Sequence, residues 1–288
     1  TEWSNVSRAR PVYPGHMQPR LPGELGFYDL RLPEISVSQA QLAREYGIAG
    51  FCYYYYWFSP EKQLLERPLN QMLASGEPDF PFCLCWANEN WTRRWDGSEK
   101  DLLVKQEYTD EVAEQFIESL LPSFRDDRYI RIDGKPVLLV YDTRQLQDPR
   151  KSTALWRRLV RDAGFDDVYL IRCNTFVTTG LEVNPINQGF DACVEFPPHG
   201  VSSPQVPLLD ELDETGKNPC IYDYESIVFK SVNRQEPGFE LYRGLFPSWD
   251  NTPRKPKEPT IYFGSSPALY EHWLRAMIDW SERHNQPG

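Results

Sequence analysis

Six short apolar runs and six stretches with helical spacing are interspersed along this chain of 288 residues. The runs Ile48 to Phe58, Phe82 to Cys85, Pro136 to Tyr141, Val168 to Cys173, Phe190 to Phe196 and Tyr242 to Pro247 read as strands. The intervals Ser36 to Tyr46, Leu64 to Ser75, Asp110 to Phe124, Ser152 to Ala163, Tyr222 to Val232 and Pro267 to His284 read as helices, with Ser152 as an N-cap. The strands lack polar alternation, so both faces of their sheet are expected to be covered, which is the signature of a parallel sheet. Residues 1–34 and 102–108 are expected to be irregular, and residues 201–219 to form a loop; the first stretch is crowded with proline and glycine.

Polar and aromatic residues gather just after the strands, as in Tyr55-Tyr56-Trp57, Asn88-Glu89, Asp142, Asn174, Glu195 and Trp249-Asp250. A (β/α)8 TIM barrel builds its site at these carboxyl ends. The expected fold is therefore α/β, one barrel domain over residues 1–288. Its first strand is expected before Thr1 and its eighth after Gly288, so the barrel lacks both. No glycine-rich diphosphate loop follows any strand, which argues against a nucleotide-binding doubly wound sheet.

The net charge is −11, which disfavours nucleic acid or an anionic membrane surface as partner. No apolar run approaches the ~20 residues of a membrane span. The six cysteines sit mostly in strand-like runs, and the four histidines are widely spaced. With no CxxC or HxxxH pattern, neither a metal nor another cofactor is expected. Buried free thiols fit a reducing compartment, here expected to be the bacterial cytoplasm.

The stretch Phe82 to Gly97 changes from apolar to a mixture of three indoles, two amides, two carboxylates and two guanidiniums within a few residues. Such a mixture suits a polyhydroxylated ring: indoles cover its C–H face, and the polar groups take its hydroxyls. Glu89 shares strand parity with Cys83 and Cys85. It is read as an acid catalyst, a sugar-holding carboxylate, or the partner of Arg93 or Arg94. Glu195 ends an otherwise apolar strand and is read either as a second catalytic carboxylate or as a buried partner of a loop arginine. Two carboxylates on facing walls are what glycoside hydrolysis uses. Expected substrate contacts are Tyr54, Tyr55, Trp57, Trp86, Asn88, Trp91, Arg93, Trp95, Asp96, His199, Trp249 and Asp250.

Several blocks carry a family resemblance. They are Glu2-Trp3-Ser4-Asn5-Val6, Leu25-Gly26-Phe27-Tyr28-Asp29-Leu30, Gly50-Phe51-Cys52-Tyr53-Tyr54, Trp86-Ala87-Asn88-Glu89-Asn90-Trp91 and Glu195-Phe196-Pro197-Pro198-His199-Gly200. They resemble the WbsX family, a glycoside hydrolase family 99-like group often labelled glycosyltransferase in bacterial polysaccharide clusters. The resemblance runs along nearly the whole chain. It implies a barrel acting on glycans, by analogy with endo-acting enzymes on mannosides that retain configuration through a neighbouring 2-hydroxyl. It also implies that the paired catalytic glutamates lie on an eighth strand of Asn-Glu-Trp-Ala-Glu-Gly type, which does not occur between Thr1 and Gly288. Glu89 and Glu195 then become substrate-holding or supporting carboxylates. The alternatives are a glycosyltransferase of surface-polysaccharide assembly and a non-catalytic glycan-binding module.

Overall fold

The computed structural model describes residues 2–93, 98–175, 183–199, 205–206 and 218–284. In chain order its elements are α1 (Glu2–Arg8), α2 (Pro33–Glu45), β1 (Phe51–Ser59), β2 (Lys62–Leu64), α3 (Arg67–Ser75), β3 (Phe82–Trp86), β4 (Trp91–Arg93) and β5 (Ser98–Val104). Next come α4 (Asp110–Arg125), β6 (Arg131–Ile132), β7 (Lys135–Val140), α5 (Pro149–Asp162), β8 (Tyr169–Asn174) and β9 (Ala192–Glu195). The chain continues with β10 (Cys220–Asp223), α6 (Tyr224–Val232), β11 (Leu241–Tyr242), β12 (Thr260–Phe263) and α7 (Pro267–His284).

The six expected strands form one parallel ladder in the order β1, β3, β7, β8, β9, β11. Chain order and spatial order coincide, so there is no switch point of the kind a doubly wound sheet has. The hairpin strand β2 pairs antiparallel beyond β1, and β6 pairs antiparallel with β7. Among the described residues no ladder joins the two ends, so the sheet is open, as six strands of an eight-stranded barrel would be.

Parallel register puts ladder partners on one face. Tyr55, Trp86, Val140, Arg172, Cys193 and Leu241 form a continuous row. This row meets the helices: Trp86 stacks on Phe116 of α4 at 4.1 Å and meets Trp156 of α5 edge-on at 5.8 Å. The next row, Tyr54, Cys85, Leu139, Ile171 and Ala192, faces the other way. On that side the sheet is deeply concave. Tyr54 and Phe196 belong to strands four steps apart, about 19 Å along a flat sheet, yet their rings are 6.4 Å apart. Likewise the sulfurs of Cys85 and Cys173 touch at 3.9 Å across the intervening β7. Large side chains outside and small ones inside let the sheet curl.

Several boundaries differ from expectation. Helix α5 starts at Pro149, where Asp148, not Ser152, caps it by accepting from the Lys151 amide. Proline fits there because the first helical N–H needs no partner. Strand β11 stops at Tyr242, well before Pro247, because the Gly244 amide turns to the Glu195 carboxylate at 3.0 Å. A Cβ on Gly244 would come within 2.8 Å of the Glu195 carbonyl oxygen, so only glycine fits. The first residues form a short helix, residues 98–104 form a hairpin strand, and β10 pairs with β12 as a separate parallel pair. Of the expected 201–219 loop, most lies outside the described residues.

Trp86→Ala removes the wedge between sheet and helices and is expected to cost about 3–5 kcal/mol in urea denaturation. Phe229→Ala, on the exposed side of α6, is expected to stay within about 0.5 kcal/mol.

Candidate functional site

The strand ends are pinned first. Asn88 is fully buried just beyond β3, and its amide imitates a backbone ladder: Nδ2 donates to the Asp142 carbonyl and Oδ1 accepts from the Asp142 amide, both at 2.7 Å. The Tyr108 hydroxyl donates to the Asn88 carbonyl. Asn88 thus joins the ends of β3 and β7 instead of offering its amide to a ligand. Asn90 continues the seam by accepting from the Gln106 amide at 2.8 Å.

Asp142 lies behind this clamp. Its carboxylate takes Nε and Nη2 of Arg144, each at 2.7 Å, and the Gln145 amide at 3.1 Å. Burial opposes its charge, but Arg144 and Gln145 outweigh burial and hold the carboxyl below the usual carboxylate range. Arg144 in turn feels the charge of Glu89 and lies beside Tyr141. Glu89 is half-buried, and its field also reaches Tyr56 and Tyr108. Tyr56 further senses Arg254 and Glu2, which form a bidentate pair at 2.7 and 2.9 Å. The charge of Glu89 is thus felt by Arg144, Tyr56 and Tyr108 alike.

Across the concave face runs an unbroken aromatic arc. Trp91 meets Tyr56 edge-on at 4.9 Å, and Tyr56 stacks with Tyr54 at 5.8 Å. Tyr54 meets Tyr141 at 6.0 Å, Tyr141 meets Phe196 at 5.4 Å, and Phe196 stacks with His199 at 6.1 Å. Tyr54, at its centre, is 45% exposed. Burial pushes the His199 imidazolium down to about 4, so this ring is neutral near pH 7. The arc offers broad apolar faces with phenolic edges, and the Glu89 cluster stands at its Trp91 end.

The other expected site residues fall elsewhere. Tyr55, Trp57 and Trp86 point to the helices; Trp57 has no exposed surface and packs on Phe116. Glu195 also lies on the helix-facing side, in register with Asn174, and not on a wall opposite Glu89. It accepts from Arg243 Nε at 2.9 Å and from Arg234 Nη1. Asp250 is tied into the N-terminal segment. It accepts from Gln18 at 2.6 Å and the Thr252 amide at 2.9 Å, and pairs with His16 Nε2 at 2.8 Å. Trp249 stands half-exposed beside it. Arg93 ends β4, but its side chain, with Trp95 and Asp96, lies outside what the structure describes. Reading the sequence missed Arg144, Arg254, Tyr141 and Phe196 as neighbours of the site. The parity of Tyr141 and Phe196 at strand ends was the available signal for those two.

A family model described as glycosyltransferase WbsX matches residues 1–287. Proteins described as uncharacterized protein WxcX, from two strains of Xanthomonas campestris pv. campestris, are 41% identical over 278 residues, or 96% of this chain. The chain spans 39% of the length of these relatives. A solved glycoside hydrolase-like protein superposes with a TM-score of 0.57 at 16% identity, covering 89% of this chain and 74% of that one. The GH99 endo-alpha-mannosidase from Bacteroides thetaiotaomicron superposes with a TM-score of 0.54 at 14% identity, covering 95% of this chain and 75% of that one. At such identities the likeness is one of fold.

Glu195→Ala leaves Arg243, whose side chain is only 3% exposed, without its counter-charge. The expected loss is about 3–5 kcal/mol by urea denaturation. For His199 the folded pKa lies below the unfolded value of 6.5, so the unfolded chain takes up the proton first. Stability is then full above about pH 6.5 and falls as the pH drops toward about 4. His199→Phe is expected to flatten the melting temperature across that window.

Proposed function

The chain belongs to the WbsX family, and from that premise we propose that it is a carbohydrate-active, glycoside hydrolase-like domain working on a mannoside-type or bacterial surface polysaccharide. The observation that carries the proposal is the aromatic arc on the concave side of a curled parallel sheet, with Glu89 and Arg144 at one end. Aromatic faces cover the C–H side of a pyranose, and the Glu89 carboxylate meets its hydroxyls. The superpositions on glycoside hydrolase folds support the same reading.

In this proposal residues 1–288 are one domain, and the six-strand ladder is the larger part of a (β/α)8 barrel. Consecutive parallel order and the 6.4 Å approach of Tyr54 to Phe196 support that architecture. Tyr54, Trp91 and His199 line the glycan path, joined by Tyr56, Tyr141 and Phe196. Glu89 holds the sugar that Tyr56 and Trp91 flank. By residue type alone, Arg93, Trp95 and Asp96 are kept in this proposal as further sugar contacts. Among the described residues no helix is long and apolar enough to cross a membrane. The free thiols fit a reducing compartment, so we place the work in the bacterial cytoplasm.

The test is release of reducing ends from mannose-containing bacterial polysaccharides by the full-length protein. Tyr54→Ala is expected to weaken glycan binding about tenfold, the loss of one good aromatic contact. Glu89→Gln is expected to raise KM by a similar factor with kcat changed less. A kcat loss of about 10²–10⁴ instead makes Glu89 the acid or base. A folded full-length protein that neither binds nor cleaves any such glycan overturns the proposal. The family description favours a second reading, glycosyl transfer. Transfer from a nucleotide-sugar or lipid-linked donor, without net hydrolysis, selects it.

A further inference from the structure

Below the aromatic arc the concave face carries a cluster of sulfur. Cys52 and Cys83 are ladder partners on adjacent parallel strands, so both side chains leave the same face. Cys85 is one pleat further along β3, opposite Tyr54, and its sulfur touches that of Cys173 at 3.9 Å. The Cys52 thiol stands beside that of Cys83, its partner in the ladder. Of these four, Cys52 is exposed, while Cys83, Cys85 and Cys173 are buried. The structure thus presents one reachable thiol with a buried partner beside it on the next strand.

We propose that Cys52 and Cys83 form a peroxide-sensitive pair, in which Cys52 is oxidised to a sulfenic acid and Cys83 closes a disulfide across β1 and β3. Adjacent strands lie about 4.8 Å apart, inside the Cα range of about 4.4–6.8 Å that a disulfide spans. The chemistry balances with hydrogen peroxide as the oxidant. Cys52 sulfur attacks one peroxide oxygen, an S–O bond forms, the O–O bond breaks, and the leaving hydroxide takes the thiol proton as water. Cys83 sulfur then attacks the sulfenic sulfur, the S–S bond forms, the S–O bond breaks, and a second water leaves. Two thiols are oxidised and one peroxide is reduced to two waters.

Exposure lets Cys52 meet the oxidant, and its thiol neighbours lower its pKa, whereas Cys83 is pushed up by Cys52 and by burial. That order makes Cys52 the attacking sulfur and Cys83 the resolving one. Tyr54 follows Cys52 by two residues on the same face, so drawing β1 toward β3 acts directly on the centre of the arc.

The reduced full chain is treated with hydrogen peroxide and mapped by mass spectrometry without reduction. The expected product has lost about 2 Da and joins the peptides of Cys52 and Cys83. Cys52 is expected to react at least about tenfold faster than the half-buried Cys220. Cys83→Ser is expected to leave a sulfenic acid on Cys52 that dimedone traps, and Cys52→Ser to give neither adduct nor disulfide. A disulfide that maps to Cys85–Cys173 overturns the proposal. So does a Cys52 that remains alkylatable after Cys220 has been oxidised. The wild-type map decides this without either variant, and circular dichroism checks that the serine variants fold.

Discussion

The stack of Trp86 on Phe116 sets the geometry on which the remainder depends. It wedges a large ring between β3 and α4, with Trp57 and Trp156 packed against the same phenyl group. On the reverse of the same strand stand Cys83 and Cys85, which are small. A sheet that is bulky on one face and slight on the other bends toward the slight face. That curvature brings Tyr54 to Phe196 over strands that lie between them. Without it, the aromatic residues would be a row on an open surface and not the wall of a cleft.

The strand ends are held by side chains acting as backbone. Asn88 supplies both halves of a missing ladder pair between β3 and β7. Glu195 does similar work at β9 and β11, where its carboxylate takes the Gly244 amide and two guanidiniums. A parallel sheet ends where its ladder ends, and the loops beyond would otherwise splay. Buried polar groups must find partners, so the residues that satisfy the strand ends also fix where Tyr56, Glu89 and Arg144 stand. The thiol cluster belongs to the same economy of size, since cysteine is small enough for a concave face and still reactive.

The strands themselves were legible, since five of the six apolar runs match within a few residues and the sixth begins correctly. Runs without alternation belong to strands covered on both faces, and the chemistry of burial leaves few other choices. The short pair β10 and β12 escaped because four-residue runs carry no period. Side-chain direction near the strand ends was much harder. Trp57 and Trp86 looked like cleft aromatics because they neighbour polar residues, yet one step of parity sends them to the helices. Glu195 reads either as a wall carboxylate or as the buried partner of a loop arginine, and its register with Asn174 and its bond to Arg243 select the second. Tyr141 and Phe196 gave little local signal, since each is an ordinary aromatic ending an apolar strand.

By itself, then, the sequence determined a parallel α/β sheet, its strand order and the end at which polar and aromatic residues collect. Those follow from hydrophobic period and from residue types, which are local properties. Only the tertiary structure decided which of those residues share the concave face, that Asn88 and Glu195 are spent on pinning strand ends, and that Cys52 lies beside Cys83. These depend on register and curvature, which arise when distant strands pair and a single ring on α4 finds its place against β3.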